Sequence, residues 1–354
     1  MTSASARPLA AGDEPEPTVL LTGAEGSSVA VAARLARQAV AHDERIAGAL
    51  DVAPEVAAAL PHPGEGATAT LWSALASIAS IDLGVARTIE PHLDALAILH
   101  EAGMAPPADA RWGVFAAEGP GHRLSAVRSG ADWSLSGSKP WCSLAGRLDR
   151  ALVTAVAGAD RGLFSIPLRH GGVAVERADA WASHGLADVP SVPIRLERVP
   201  GIAVGAPGWY LERPGFAWGG IGVAAVWLGG ATGIARTMLA ASRRREPDQL
   251  ALAMLGRVDR GLAAGRAALA EAAAHADSAR QMVDPAVLAL RVRGIVAAVV
   301  DDVVRCADHA MGPAPLAMDV EHAQRVDDLR VYVRQHHAER DDAALGRALL
   351  DEAP

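Results

Sequence analysis

Side chains capable of chemistry cluster at two places in the sequence. The segment W-S-L-S-G-S-K-P-W-C-S-L-A-G, residues 133–146, contains the only lysine of the chain, Lys139, followed by Trp141 and Ser143. The adjacent pair His336 and His337 lies near the end of the chain. A tryptophan can stack on an aromatic ligand, lysine and serine can hydrogen-bond to it, and an imidazole with a pKa near ~6.5 can accept a proton at neutral pH.

The elements around the first group are β-strands. Residues 125–137 are typical of two short strands joined by the turn Ser-Gly-Ala-Asp, because Gly and Asp adopt the backbone conformations of a tight reversal. The apolar, β-branched run 150–157 predicts a further strand. The Lys-Pro-Trp-Cys-Ser segment is therefore predicted to form a loop at one end of a β-sheet.

This segment resembles a motif of the acyl-CoA dehydrogenase family, G-x-K-x-W-I-T-N-G, in the middle β-domain of those proteins. The resemblance implies that Trp141 and Ser143 lie against the flavin of FAD. The alternative is a hairpin in which the tryptophan only fills core space.

A second segment, R-W-G-V-F-A-A-E-G-P-G at residues 111–121, resembles the family's loop C-x-T-E-P-G-x-G-S-D. The resemblance implies that Phe115, Ala117 and Glu118 meet the flavin edge, chiefly through main-chain amides. The sequence departs from the pattern in three respects. The family's hydroxyl residue is Ala117 here, and the Pro-Gly that follows the glutamate is transposed to Gly119-Pro120. Residues 122–124, His-Arg-Leu, replace the Ser-Asp that contacts the cofactor or pantetheine.

Composition restricts the class of protein. The chain has 354 residues, 51% hydrophobic content and a net charge of −8, which is enough for one large core or several small ones. The acidic balance argues against nucleic-acid binding. Two cysteines suit a reducing cytoplasm, and the segment Met1–Thr18, rich in Ala, Pro and Glu, has no signal-peptide pattern and is predicted to be a disordered tail.

The order of patterns matches the family's domain order. We expect an α+β multidomain protein of the acyl-CoA dehydrogenase fold: an N-terminal helical domain (19–107), a middle β-barrel-like domain (108–207) and a C-terminal four-helix bundle (208–354). Helical periodicity predicts helices at 29–50, 68–83 and 90–102 in the first domain. Strands are expected in the second at 162–168, 173–177 and 191–198, and long helices in the third at 231–245, 249–277, 285–311 and 317–350.

An uncharged segment, residues 216–235, is about as long as a bilayer is thick. Its Gly and Ala content favours a helix buried in a large helical core over a membrane span. By resemblance it is the first helix of the C-terminal bundle.

The link after that helix, R-R-R-E-P-D-Q at residues 243–249, resembles a shortened form of the family's R-x-x-F-G-x-x-x-x-x-x-Q. The resemblance implies that Arg243 and Gln249 reach the FAD pyrophosphate across a dimer contact, and Gly312 is assigned to the same cofactor site. The alternative for the arginines is a solvated cluster at a helix C-terminus.

The segment D-L-R-V-Y-V-R-Q-H-H-A-E-R-D, residues 328–341, resembles the family block that carries the catalytic glutamate, and His336 occupies the position of that glutamate. Some family members supply the glutamate from the first bundle helix instead, where this chain has Gly219 and Gly220. His336 is therefore the candidate catalytic base, and the alternative is a solvated pair of histidines on a helix surface. No ligand-spaced histidine motif predicts a metal site.

The resemblance implies an FAD-dependent oxidoreductase that oxidises the CH–CH bond of an acyl-CoA thioester, with an electron-transfer acceptor and a homodimeric or homotetrameric assembly. Two other functions stay open because both expected carboxylates are missing. One is a flavin-dependent monooxygenase of the same fold, and the other is a non-catalytic subunit that pairs with an active homologue.

Overall fold

The computed structural model describes residues 18–23, 26–107, 109–130, 132–280 and 283–351. Of the predicted tail, residues 1–17 lie outside the described ranges. The N-terminal part contains four helices: α1 Gly26–Val40, α2 Arg45–Ala59, α3 Thr68–Ile81 and α4 Leu83–Glu101.

The helix predicted over residues 29–50 is wrong, because the chain turns between α1 and α2. The ring nitrogen Nδ1 of His42 accepts a hydrogen bond from the backbone amide of Glu44, a local bond that replaces helical pairing at this point. The helix predicted at 68–83 is confirmed as α3. The third helix begins at Leu83 rather than Glu90, because the Asp82 side chain accepts a hydrogen bond from the amide of Val85 and caps α4.

The middle part is a seven-stranded sheet. Its strands are β1 Trp112–Phe115, β2 Leu124–Ser129, β3 Asp132–Ser143, β4 Arg150–Ala157, β5 Asp160–Pro167, β6 Val173–Val175 and β7 Ser191–Val204. Pairings run β4-β2-β3-β7-β5, and β5 also pairs with β4, so these five strands form a closed circuit, with β1 added on β4 and β6 on β7. A closed circuit removes the free edges of its strands.

The Lys-Pro-Trp-Cys-Ser segment is not a loop, as predicted, but the last part of β3. The register of β3 against β7 shifts between Lys139 and Cys142, and Trp141 has a left-handed backbone conformation with φ of 60°. Such a bulge redirects a side chain without ending the strand. Alternation along residues 133–137 predicted the strand correctly, but the bulge has no period-2 signature.

The C-terminal part is helical. A short helix, α5 Trp209–Glu212, precedes α6 Pro214–Arg244, α7 Gln249–Ala276 and α8 Pro285–Met311. The predicted segments 216–235 and 231–245 are one continuous helix, α6, and α8 has the predicted bounds. By length and composition α6 could cross a bilayer, but 78% of its apolar window is buried inside the protein, as expected for a central core helix.

The helix predicted over residues 317–350 is wrong. The chain forms α9 Pro313–Met318, α10 Val320–Tyr332 and α11 Glu339–Asp351, with a short 3₁₀ turn at Val333–Gln335. Ala338, with φ of 51°, is left-handed between that turn and α11, which interrupts helical hydrogen bonding. His336 and His337 therefore lie in a connection and not on a helix surface.

Candidate functional site

Trp141 presents an aromatic face at the bulge of β3. Trp141 is 55% exposed, and the ring of Trp181 contacts its ring edge-on, with the two ring centroids 6.4 Å apart. Gly119 lies next to it, since a Cβ on Gly119 would be 3.1 Å from Cγ of Pro140 and 3.8 Å from Nε1 of Trp141. The two segments that the sequence assigned to the flavin are thus adjacent.

Lys139 fixes the relative position of these two segments. Its Nζ atom, on a residue only 1% exposed, donates to Oε1 of Glu118 at 2.7 Å and to Oγ1 of Thr154 at 2.7 Å. Burial lowers the pKa of Lys139, and the Glu118 carboxylate opposes that effect. Burial acts to raise the pKa of Glu118, but Lys139 and Arg161 outweigh it and hold the pKa below its ordinary value. Lys139 is therefore a structural cation that ties β3 to β4 and to the loop after β1.

The remaining predicted residues of that loop differ in exposure. The Phe115 side chain is buried in the core, so only its main chain could meet a cofactor. Ala117 is exposed, and the Glu118 side chain is 46% exposed.

Ser143 is buried and held by side chains on both sides. Arg87 of α4 donates from Nη2 to Oγ of Ser143 at 2.9 Å, and the hydroxyls of Ser143 and Ser191 are 2.6 Å apart. The Lys-Pro-Trp-Cys-Ser segment is thereby connected to α4.

Glu90 lies one helical turn from Arg87 on α4 and is the next residue in this series of contacts. It is 8% exposed. Its Oε2 accepts a hydrogen bond from the Tyr332 hydroxyl at 3.3 Å and lies 3.6 Å from Nη1 of Arg87. Burial raises the pKa of Glu90 to about 7 despite the nearby Arg87. A carboxyl group with such a pKa can both accept and release a proton at neutral pH.

Asp94 lies one further turn along α4 and lines the same cavity as Glu90. The cavity measures about 40 Å³, enough for roughly three water molecules. It lies between α3, α4 and α6 and is closed by the end of α2 and the segment 60–63, which includes His62. Oδ1 of Asp94 is 2.8 Å from the point where Gly219 would carry a Cβ. Burial raises the pKa of Asp94. The apolar walls of the cavity include Trp72, Leu75, Leu93 and Trp218.

His336, the predicted base, is buried at 8% exposure. Its Nε2 lies 3.7 Å from Oδ2 of Asp341 and makes no hydrogen bond. Burial lowers its pKa, against the effect of Asp341. Arg293 positions the preceding residue, donating to the carbonyl oxygens of Gln335 and Gly220. No contact among the described residues joins His336 to Trp141 or Ser143.

Arg243, Gln249 and Gly312 are not gathered with the other candidates in the described part of this chain. Arg243 lies in the last turn of α6, Gln249 is the first residue of α7, and Gly312 ends α8. The resemblance implies that Arg243 and Gln249 reach a cofactor bound by another copy of the chain.

Sequence reasoning missed Arg87, Glu90 and Asp94. The signal was present, since these charged residues stand at spacings of three and four on α4, a helix whose other residues in that region are largely apolar. Charges on the inner face of a buried helix have a cost and are retained when they are paired or functional. Among the residues that the structure describes, no group of three or more His, Cys, Asp or Glu side chains is arranged to hold a metal ion.

The residues around Trp141 fit an isoalloxazine ring. A large apolar ring that is more than half exposed at a bulge provides a stacking surface, and the adjoining loop of residues 117–119 offers main-chain groups at its edge. The Ser143 hydroxyl, bonded to Arg87 and Ser191, fixes the strand that carries Trp141. When bound, a flavin would supply two-electron redox chemistry.

No family model and no curated protein matches the chain. Solved structures of other proteins match it over most of its length. The FMN-bound TdsC of Paenibacillus sp. A11-2, a dibenzothiophene monooxygenase, is 18% identical with a TM-score of 0.76, over 92% of this chain and 98% of that one. Glutaryl-CoA dehydrogenase of Mycobacterium smegmatis is 16% identical with a TM-score of 0.77, over 93% and 95%. KijD3, in complex with FMN and an amino-sugar nucleotide, is 20% identical with a TM-score of 0.74, over 91% of each chain.

Proposed function

Because the chain has the acyl-CoA dehydrogenase fold, we propose that it is a flavin-dependent oxidoreductase acting on a small molecule. The observation that supports this most directly is the exposed Trp141 ring beside the loop of residues 117–119, connected through Ser143 and Arg87 to a buried carboxyl group. The flavin-containing structures of similar fold, TdsC and KijD3, add support.

FAD is the proposed cofactor, because Arg243 and Gln249 are the residues that would serve its pyrophosphate across a dimer. The FMN in TdsC and KijD3 makes FMN the alternative. Chromatography of the flavin released from the denatured protein distinguishes the two.

The first proposed reaction is oxidation of the CH–CH bond of an acyl thioester, with electrons passing on to an external acceptor. It requires a group that removes the proton next to the carbonyl. The family positions at His336 and at Gly219–Gly220 carry no carboxylate, but carboxyl groups from α4 line the cavity beside Gly219.

Monooxygenation is the second candidate. It is favoured by the similarity to TdsC and by the absence of a carboxylate from both family positions. An oxygen-using enzyme would leave acyl-CoA unchanged and would consume oxygen when given reduced flavin.

The test is the visible spectrum of the purified protein, followed by anaerobic titration with acyl-CoA esters of increasing length. Bleaching of the flavin band by one ester supports the dehydrogenase. A flavin that stays oxidised but reacts with oxygen after chemical reduction supports the monooxygenase. A protein that cannot be loaded with FAD or FMN would overturn both and indicate a non-catalytic subunit.

A further inference from the structure

The cavity between α3, α4 and α6 contains hydrogen-bonding capacity that the protein itself does not use. Both contacts of Glu90 involve Oε2, and no residue in the described ranges donates a hydrogen bond to Oε1. Neither oxygen of Asp94 receives a hydrogen bond within the same ranges. Buried carboxyl oxygens are usually hydrogen-bonded, so these oxygens are available to a molecule that enters the cavity.

Glycines of α6 make the room that these carboxyl groups face. Gly219 is opposite Asp94, and a Cβ on Gly222 would be 3.3 Å from Nε1 of Trp72 and 3.5 Å from Cδ1 of Leu75. A side chain at either position would therefore reduce the cavity. Trp72 and Trp218 provide flat apolar walls, which suit a carbon chain or a small planar group more than a hydrated ion.

Glu90 is also close to the predicted flavin position. Arg87 contacts both Glu90 and Ser143, so a single side chain separates the carboxyl group from the residue that the sequence assigns to the flavin. The Tyr332 hydroxyl donates to Oε2 of Glu90, and the Glu90 side chain lines the cavity. A substrate carbon held in the cavity would thus face a carboxyl group that two side-chain contacts, through Arg87, connect to Ser143.

We propose that Glu90 is the catalytic base and that the cavity beside Gly219 and Gly222 holds the reacting carbons of a thioester or similar carbonyl substrate. This rests on the proposed flavin-dependent function and assigns its base to α4. In the proton-transfer step, the C–H bond next to the carbonyl breaks, the proton passes to Oε1 of Glu90, and the electron pair stays on the substrate as an enolate. Asp94 and Arg87 are the charged neighbours of Glu90 on the same helix, and Tyr332 and Arg293 face it from α10 and α8.

The reverse of that step can be measured without any oxidation, because deuterium from solvent returns to the same carbon. Butyryl-CoA is incubated with the flavin-loaded protein in D₂O under anaerobic conditions, and deuterium at C2 is measured by mass spectrometry. Glu90→Gln, which keeps the shape of the side chain, is expected to lower the exchange rate roughly 100-fold or more. Glu55→Gln, on an exposed residue paired with Arg34, serves as the matched control and is expected to exchange like the wild type.

His336→Gln separates the two candidate bases. Exchange that is lost in His336→Gln but kept in Glu90→Gln would overturn the proposal. A wild-type protein that binds flavin but exchanges no deuterium would also overturn the proposal. That result would leave the proposed flavin binding unaffected.

A second measurement needs neither flavin nor turnover. In protein labelled with ¹³C at glutamate carboxyl groups, the resonance missing from Glu90→Gln is expected to shift when butyryl-CoA is added. Gly222→Leu, which fills the cavity, is expected to abolish that shift while leaving flavin binding intact. A Glu90 resonance unaffected by butyryl-CoA in the wild type would overturn the cavity as the substrate position.

Discussion

At the scale of single residues, Lys139 shows how hydrogen-bond acceptors allow a protein to bury a cation. Its ammonium group has two hydrogen-bond acceptors at 2.7 Å, and one of them, Glu118, is half in solvent. The ion pair is therefore reached by water on one side only. Removing one partner of a buried pair leaves an uncompensated charge, whereas removing the charge itself does not.

Glu118→Ala is accordingly expected to destabilise the protein by about 2–3 kcal/mol, less than the roughly 3–5 kcal/mol typical of fully buried pairs because solvent screens Glu118. Lys139→Met is expected to change stability by no more than about 1 kcal/mol. Urea unfolding of both variants and of Lys139→Met/Glu118→Ala measures this. Equal losses in the two single variants would contradict it.

Two buried groups on α4 have opposite effects on the pH dependence of stability. Burial lowers the pKa of His92 to about 4 and raises that of Glu90 to about 7. The folded protein thus binds fewer protons at His92 than the unfolded chain between pH ~4 and ~6.5, so this contribution to stability is lost as the pH falls. The folded protein binds more protons at Glu90 between pH ~4.5 and ~7, so that contribution is lost as the pH rises.

Each contribution amounts to roughly 3 kcal/mol, and in the wild type they largely cancel between pH ~4.5 and ~6.5. Relative to the wild type, His92→Gln is expected to gain stability toward low pH and Glu90→Gln toward neutral pH. Urea midpoints measured from pH 4.5 to 7 give both slopes. Three parallel curves would contradict the assignment.

At the scale of secondary structure elements, the close approach of α3 and α6 organises the helical core. Glycines in α6 are placed where α3 leaves no space. A Cβ on Gly229 would overlap the backbone carbonyl of Ala76, whereas a Cβ on Gly256 of α7 would meet nothing within 4 Å.

Gly229→Ala is expected to cost about 2–4 kcal/mol, because backbone must move to admit the methyl group. Gly256→Ala is the matched control and is expected to stabilise the protein by up to about 1 kcal/mol through helix propensity. Thermal unfolding of the two variants compares them. A neutral Gly229→Ala would show that the helices can separate without loss.

Much of this organisation can be predicted from the sequence. The bounds of α8 follow from apolar periodicity, and the strand at residues 150–157 follows from a continuous β-branched apolar run. The buried character of α6 follows from the uncharged, Gly- and Ala-rich composition of residues 216–235. The bulge at Trp141 and the breaks after α1 and at His336 do not, because they depend on single local hydrogen bonds and left-handed residues that leave the periodicity unchanged. The roles of Arg87 and Glu90 cannot be predicted from the sequence, because they depend on the tertiary contacts of Arg87 with Ser143 of β3 and of Glu90 with Tyr332 of α10.

At the scale of the whole molecule, helices and sheet are joined by a few polar contacts. Oδ1 of Asp328, in α10, accepts a hydrogen bond at 2.6 Å from the backbone amide of Leu186, which lies in the segment before β7. Arg45 of α2 pairs with Asp82 before α4 and with Asp188 of that segment.

Arg243→Ala is expected to weaken FAD binding about 10-fold or more, since a charge-assisted bond to phosphate contributes roughly 1.5–3 kcal/mol. Arg244→Ala, one residue further along α6, is the control. Flavin fluorescence titration gives the affinities. If the phosphate contact comes from a second chain, FAD affinity is also expected to fall when the protein is diluted below the dimer dissociation constant. An FAD affinity that changes neither with Arg243→Ala nor with dilution would contradict the assignment.

The only lysine of the sequence is buried, and it is buried at the junction of β3, β4 and the loop after β1. An amine-reactive reagent such as acetic anhydride can therefore modify a side-chain amine only when this junction opens. The extent of modification on the peptide that contains Lys139, followed over time, reports how often the sheet opens locally. Lys139 is thus an intrinsic single-site probe of local opening in the sheet. Any ligand that closes the junction is expected to slow the labelling.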